Sequence, residues 1–253
     1  VDPGWNDDAI AAVADRVEAG IDPAVHANAL ANLSLTLNWA GKNEESRRLA
    51  AMALESGYED PTMLMMVGRH AALDGDNDRA LEYFRRAVQA SPNSPVVHSQ
   101  IGMLYNGMGD LEAAAAHIFL ASLIWNDNDV YHKQLATVMS QRGRMRSALR
   151  SLREASRLKP ADQDLVRRVE QAAAALSGSD RDPPRAEIDV TRHESGFPRT
   201  VAQTAPGPGG SPALDGIWTE WYASGALKSF ADYRAGKPVG APANWSEQGD
   251  RLP

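Results

Sequence analysis

The chain has 253 residues and a net charge of −7, from 33 acidic and 26 basic side chains. It contains no cysteine, which excludes disulfide bonds, thiolate-bound zinc, iron–sulfur clusters and a cysteine nucleophile. No apolar run approaches the length that crosses a bilayer, so the sequence predicts no transmembrane segment. We expect a soluble or peripheral protein of unassigned compartment, with export after processing left open.

The first predicted element is a helix over residues 7–19, which ends at Gly20. Asp22 and Pro23 follow, and this pair is typical of a helix start because Pro fits the first helical turn. We interpret residues 7–19 as a helix that caps the N-terminal end of the segment described next.

Residues 27–162 follow a period of 34 residues. Gly41, Gly75, Gly109 and Gly143 share one phase of this period. Residues that are mostly apolar or small recur at positions 4, 7, 8 and 11, and again at positions 20, 24 and 27. The period divides the segment without gaps into four blocks, 27–60, 61–94, 95–128 and 129–162.

Each block predicts two helices, because the two groups of positions each lie on one helical face. Small residues at positions 8 and 20 allow the two helices to approach, and the glycine at position 15 permits the turn between them. One such pair cannot bury its apolar face alone, so consecutive pairs stack into a solenoid. The pattern resembles the tetratricopeptide repeat (TPR) family across all four blocks.

The remaining residues have a different character. Residues 163–176 predict a final helix that caps the array, and the Ser-, Gly-, Asp- and Pro-rich residues 177–185 predict a linker. Residues 186–253 form a tail of predicted β-hairpins, which a Pro/Gly-rich insertion at 205–212 interrupts. We therefore expect a mostly α protein: a solenoid over residues 1–176, followed by a small antiparallel β-hairpin tail.

The tail contains a weak strand–turn–strand repeat, clearest over residues 218–230 and 190–201. It resembles MORN-type repeats, of a variety also found in a bacterial antitoxin-repeat family, and this implies a small twisted sheet that serves as an interaction surface. We take as tail-surface candidates Trp218, Trp221, Tyr222 and Tyr233. The resemblance is carried by these four residues together with Gly216, Gly225, Leu227, Gly236 and Gly240.

No sequence motif of a catalytic, phosphate-binding or metal-binding site is present. His98 and His132 share position 4 of consecutive blocks, which places them about 10 Å apart, too far for one metal ion. We interpret them as hydrogen-bonded core or groove histidines. The sequence therefore predicts a protein that is not an enzyme, with no cofactor, no bound metal and no small-molecule substrate.

The TPR resemblance implies a concave groove lined by positions 2, 5, 9, 12 and 13 of each first helix. Asn side chains there can bond both the N–H and the C=O of an extended peptide, while Met and Trp give adaptable apolar contacts. Contact with a neighbouring helix or with the chain's own tail is the alternative. The candidate groove residues are Asn28, Leu35, Asn38, Trp39, Met65, Arg69, Met103, Asn106, Lys133, Thr137 and Gln141.

Residues 133–168 contain ten basic and three acidic side chains, in a chain that is otherwise acidic. Five arginines recur at spacings of three and four and so share much of one helical face. An acidic protein surface, an anionic lipid surface and plain solvent are open as partners, whereas nucleic acid is disfavoured because no stacking aromatics interleave the charges. This basic face comprises Arg142, Arg146, Arg150, Arg153 and Arg157.

These features predict a non-catalytic protein–protein interaction scaffold, or an accessory subunit of a larger assembly, which binds its partner through the groove and the tail. Two alternatives stay open. One is an immunity or antitoxin-like protein that neutralises its target through the tail, and the other is a module that binds anionic membrane surfaces through the arginine face and the tail tryptophans.

Overall fold

The computed structural model describes residues 23–178, 183, 185–207 and 210–253. The predicted helix over residues 7–19 lies outside these ranges. The chain divides into two units, residues 1–90 and 91–253. The described helices are α1 (Pro23–Trp39), α2 (Asn43–Glu55), α3 (Pro61–Leu73), α4 (Asn77–Ala90), α5 (Pro95–Met108), α6 (Leu111–Ile124), α7 (Asp129–Gln141), α8 (Met145–Leu158) and α9 (Gln163–Ala174).

The first unit contains the helix pairs α1–α2 and α3–α4, which are the first two blocks of the repeat. Gly41 and Gly75 form the turns within the pairs, with φ of +78° and +80°, a left-handed conformation that strongly favours glycine. The core holds large side chains such as Leu49, Leu64 and Phe84, each at most 1% exposed. Position 15 therefore has the turn function that the period predicts.

The second unit contains the pairs α5–α6 and α7–α8, with α9 packed against α8. Gly102 in α5 shows why position 8 is small: a Cβ there would lie 2.5 Å from Cγ1 of Ile118 in α6. Leu165 and Ala172 bury one side of α9 in a cluster with Leu149 and Leu152 of α8. These contacts fit the capping role that the sequence predicts for this helix.

The C-terminal strands form one antiparallel sheet in the order β1-β2-β3-β4-β5, with β6 also paired to β4. The hairpin turns contain Gly196 and Gly225, as the strand–turn–strand pattern predicts. At the ends of the Pro/Gly-rich segment 205–212, Pro206 of β2 pairs with Pro212 of β3. The strands are β1 (Glu187–Arg192), β2 (Pro198–Pro206), β3 (Pro212–Trp221), β4 (Leu227–Arg234), β5 (Lys237–Pro238) and β6 (Ala243–Asn244).

The middle of helix α6 is buried around its whole circumference. Ten consecutive residues, 113–122, are buried, because α5, α7 and strand β4 all pack against this helix. A helix without a polar face needs such surroundings. The predicted fold class is confirmed: TPR-type helix pairs precede an antiparallel β segment. Across the described residues, no helix has both the length and the apolar character that crossing a membrane requires.

Candidate functional site

In the first unit, the C-terminal ends of α1 and α3 carry several predicted groove residues. Trp39 and Leu73 occupy position 13 of consecutive blocks and are 85% and 72% exposed. At the neighbouring position, Asn38 Oδ1 accepts a hydrogen bond from Arg69 Nη2 at 2.7 Å and lies 3.2 Å from Nε2 of His70. This surface combines exposed apolar groups with a polar cluster that links α1 to α3.

In the second unit, α5 and α7 present an equivalent surface. Met103 is 51% exposed. Gln134, which the sequence analysis did not select, accepts a hydrogen bond from Ser99 Oγ at 2.9 Å, and its Nε2 lies 3.3 Å from Met103 Sδ. Asn106 is half-buried, and its Oδ1 has no hydrogen-bond partner among the described residues. That oxygen is a buried acceptor that a peptide N–H could satisfy.

The remaining groove candidates are also accessible. Lys133 Nζ pairs with Asp129 at 2.7 Å, and Thr137 Oγ1 donates to the Lys133 carbonyl at 3.0 Å. Asn28 is held by a similar local bond, from Asn32 Nδ2 at 2.6 Å, and none of the eleven candidates is buried. Those exposed are Asn28, Trp39, Arg69, Met103, Thr137 and Gln141, and those half-buried are Leu35, Asn38, Met65, Asn106 and Lys133.

The predicted basic face has a different environment, because arginines of α8 bind the sheet. The buried Asp215 of β3 accepts hydrogen bonds from Arg146 Nη1 at 2.7 and 2.8 Å and from Arg150 Nη2 at 2.7 Å. Burial opposes ionisation of Asp215, but the bonds from Arg146, the Ala235 amide and Arg150 outweigh it and lower the pKa of this carboxyl. A Cβ on Gly216 would lie 2.8 Å from Arg150 Nη1, so glycine permits this approach.

A second buried carboxylate, Asp232 of β4, forms a similar clamp. Its Oδ2 lies 2.8 Å from Arg142 Nη2 and 3.1 Å from Arg144 Nε. The guanidinium of Arg142 also stacks over the Phe230 ring, 4.5 Å from its centroid. We call the two groups centred on Asp215 and Asp232 the arginine–aspartate clamps. They fix strands β3 and β4 to the fourth block.

The clamps change the interpretation of the arginine face. Arg142, Arg146 and Arg150 do not form an exposed surface, because their side chains are 6%, 21% and 7% exposed. Arg153 is half-buried, and Arg157 is exposed and pairs with Glu154 at 2.9 Å. The sequence left an acidic protein surface open as a partner of the basic face. For Arg142, Arg146 and Arg150, that surface is the chain's own sheet.

Two histidines lie where the sheet covers the helices. His98 Nδ1 lies 3.1 Å from His117 Nδ1, and His98 Nε2 lies 2.8 Å from the Pro92 carbonyl. Since that carbonyl can only accept, His98 is protonated on Nε2, and His117 donates its Nδ1 proton to His98. Burial lowers the pKa of His98 to about 4 and that of His117 well below the ordinary value. The pair is therefore neutral at physiological pH.

Of the four aromatic residues predicted for the tail surface, Trp221 is not on a surface. It is 1% exposed, and its ring lies edge-on to His117, with the ring centroids 5.0 Å apart. Alternation along β3 explains this, because Ile217, Thr219 and Trp221 face inward. The other three candidates, Trp218, Tyr222 and Tyr233, are half-buried.

Known proteins share the helical part of this chain. Residues 40–95 match the family model described as tetratricopeptide repeat. The chain carries tetratricopeptide repeats. The photosystem I assembly protein Ycf3 of Cyanophora paradoxa is 28% identical over an alignment of 104 residues, and the match covers 37% of this chain and 60% of that protein. The chain thus spans less than two thirds of that relative.

Solved structures share this fold over about two thirds of the chain. The crystal structure of YrrB, described as a TPR protein with an unusual peptide-binding site, has a TM-score of 0.55 at 19% identity, covering 65% of this chain and 82% of that chain. A crystal structure of MamA also has a TM-score of 0.55, at 15% identity, covering 62% of this chain and 90% of that chain.

TPR arrays are protein–protein interaction scaffolds, and the fold is in general non-catalytic. Within the described residues, no three His, Asp or Glu side chains converge as metal ligands would. No sequence motif singles out His117, Asp215 or Asp232 as important positions. One signal was present: residues 111–124 lack a polar face, which indicates a helix covered by more than its repeat neighbours.

Proposed function

We propose that the chain is a non-catalytic assembly subunit that binds a protein partner through the exposed faces of its first repeat helices. The observation that carries the proposal is the exposure of Trp39 and Leu73, 85% and 72%, at equivalent positions of consecutive repeats. Each Å² of apolar surface removed from water contributes about 25 cal/mol, so large exposed side chains at repeated positions favour binding.

Polar groups at the preceding repeat position of each unit suit an extended peptide. Asn38 and Asn106 both lie at position 12, and an Asn amide can accept from a peptide N–H and donate to a peptide C=O. The Oδ1 atom of Asn106 is buried without a partner in the described structure, which supports an acceptor role. The relative YrrB is described as having a peptide-binding site, and Ycf3 is named as an assembly protein.

A capture experiment tests this proposal. The full chain, immobilised, is expected to retain a stoichiometric partner from lysate of the source cells, quantified by mass spectrometry. Trp39→Ala combined with Leu73→Ala should reduce the retained amount at least about tenfold, because truncating central aromatic and aliphatic anchors costs about 2 kcal/mol or more. Both side chains are largely exposed, so the helical circular dichroism should not change.

The matched control is Trp125→Ala. Trp125 is 51% exposed but follows α6 and so lies outside the first-helix face. Retention that falls equally in the control and in the double variant would contradict the assignment. Replacing Asn38, Met103 and Asn106 together extends the test to the second unit.

The membrane-surface alternative has lost its main support, because three of its five arginines are engaged by the arginine–aspartate clamps. No described feature favours the antitoxin-like alternative over a scaffold. The enzyme class is set aside in the proposal because of the interaction fold, and turnover by the purified chain would contradict that choice.

A further inference from the structure

A cleft of about 640 Å³ lies in the second unit, between the β1–β2 hairpin and helices α6, α7 and α8. Its volume is within the range of about 300–1,000 Å³ that is typical of ligand sites. Phe119 and Leu123 of α6 and Leu135 of α7 contribute apolar groups to it. The proposed scaffold function does not use this cleft.

One face of the hairpin forms a wall of the cleft. Ile188, Val190 and Arg192 of β1 all line it, as do their cross-strand partners on β2. Ile188 and Val190 are 37% and 38% exposed, although both are large and apolar. Glu187 and Asp189 alternate with them and so lie on the opposite face of the strand. Those partners are Gln203, Val201 and Pro198.

Strand β1 also ends the sheet. Among the described strands it pairs with β2 only, and all six of its residues are exposed. The outer edge of such a strand presents backbone N–H and C=O groups to any extended chain that approaches it. A strand added there would direct alternate side chains to the face that carries Ile188 and Val190.

The cleft carries an excess of positive charge in a chain whose net charge is −7. Arg157 Nε and Arg185 Nε lie 2.9 and 3.1 Å from the two oxygens of Glu154, so one carboxylate serves two guanidinium groups. Arg192 Nη1 donates to the neutral carbonyl of Gly196 at 2.8 Å. The charge of Arg150, which also lines the cleft, is compensated by Asp215, so the excess comes from Arg157, Arg185 and Arg192 against the single lining acid Glu154.

We infer that the edge of β1 is a docking site for an extended segment of a protein partner that carries acidic and apolar side chains on the same face. The backbone of that segment pairs with β1, its apolar side chains pack on Ile188 and Val190, and its carboxylate binds the arginines at the cleft. This site is separate from the first-helix faces, so either can fail without the other.

The probe is a capped peptide, Glu-Thr-Val-Thr-Val-Thr-Glu, labelled with fluorescein. It has Glu at both ends so that one carboxylate can reach the arginines whether the peptide pairs parallel or antiparallel to β1. Fluorescence anisotropy with the full chain should give saturable binding with a Kd of about 10–100 μM. On binding, the amides of β1 should exchange more slowly, whereas a peptide with Lys in place of Glu, or with alternate amides N-methylated, should bind at least about tenfold more weakly.

Matched variants of the chain separate the two faces of β1. Val190→Asp places a negative charge on the cleft face and should weaken binding of the probe at least about tenfold. Thr191→Asp adds the same charge one residue further, on the opposite face, and should leave the Kd within about twofold. Both residues are exposed, so both variants should fold.

Several outcomes would overturn the inference. In the first, binding of the probe does not saturate at about 1 mM peptide, and in the second, the Lys-containing peptide binds as tightly as the probe. The third such outcome is that Val190→Asp and Thr191→Asp change the Kd equally. A dimer in sedimentation analysis that Val190→Asp dissociates would identify a second copy as the occupant. Binding that appears only after residues 177–184 are replaced by a Gly/Ser spacer would identify the chain's own linker. The probe is measured directly, so these results are independent of partner capture on the first-helix faces.

Discussion

Removing the Asp215 carboxylate should release the sheet from the helices. In Asp215→Ala, Arg150 loses its counterion while its side chain, 7% exposed in the intact protein, stays buried. Breaking a buried ion pair from one side costs about 3–5 kcal/mol, because the remaining charge is uncompensated. Arg146, 21% exposed, loses two further hydrogen bonds, so we expect the upper part of that range.

Native-state amide hydrogen exchange measures the loss of stability in the individual strands of the sheet. At about 1.4 kcal/mol per factor of ten, the amides of β3 and β4 should exchange roughly three to four orders of magnitude faster in the variant. Glu220→Ala is the matched control in the same strand, because the Glu220–Lys228 pair has a Lys side chain that is 43% exposed. Such surface pairs contribute about 0–1 kcal/mol.

A double variant tests the cause. Asp215→Leu with Arg150→Met replaces the buried pair by apolar side chains, and this should restore part of the lost protection, because such replacements are often neutral or stabilising. If exchange in β3 and β4 changes no more in Asp215→Ala than in Glu220→Ala, the clamp does not hold the sheet and the reasoning is refuted.

Two further predictions concern packing and pH. Gly102→Ala should lower the free energy of unfolding by about 1–3 kcal/mol in urea titrations, because the new Cβ would lie 2.5 Å from Cγ1 of Ile118. Gly107→Ala in the same helix is the control and should be neutral or stabilising, since nothing lies within 4 Å of its Cβ position; equal losses would contradict the packing argument. The histidine pair should make the second unit less stable as pH falls from 6.5 towards about 4, because the unfolded chain binds protons there while the folded, buried rings do not. In His117→Phe, the melting temperature should fall less over this pH range than in the intact protein. An equal fall in both proteins would contradict the prediction.

The helical part was predictable because its signals are local and repeated. The glycine at position 15 requires the left-handed turn, and each of Gly41, Gly75, Gly109 and Gly143 adopts it, with φ between +71° and +84°. Small residues at position 8 mark the crossing of two helices in the same way. These constraints act within one block of 34 residues, so the sequence shows them four times.

The attachment of the sheet was not predictable in the same way. Arg150 and Asp215 are 65 residues apart, and no periodicity connects them. The arginines repeat at helical spacing, which indicates that they share one helical face. Their partners are single aspartates, and no pattern in the sequence showed that these aspartates are buried. The tail-surface prediction failed at Trp221 for a local reason. Two residues three positions apart in a strand lie on opposite faces of the sheet, so Trp218 and Trp221 cannot share one surface.

The covering of α6 has a consequence for the order of synthesis. Arg251 Nη1 binds Asp110, just before α6, at 3.1 Å across 141 residues of sequence, and Trp245 Nε1 reaches the same carboxylate across 135 residues. A ribosome adds about 5–20 residues per second, so roughly 7–28 s pass between the synthesis of Asp110 and that of Arg251. During that interval this largely apolar helix lies without the strands that later bury it. We therefore expect nascent chains that have not yet reached the tail to bind holdase chaperones more strongly than the finished protein does.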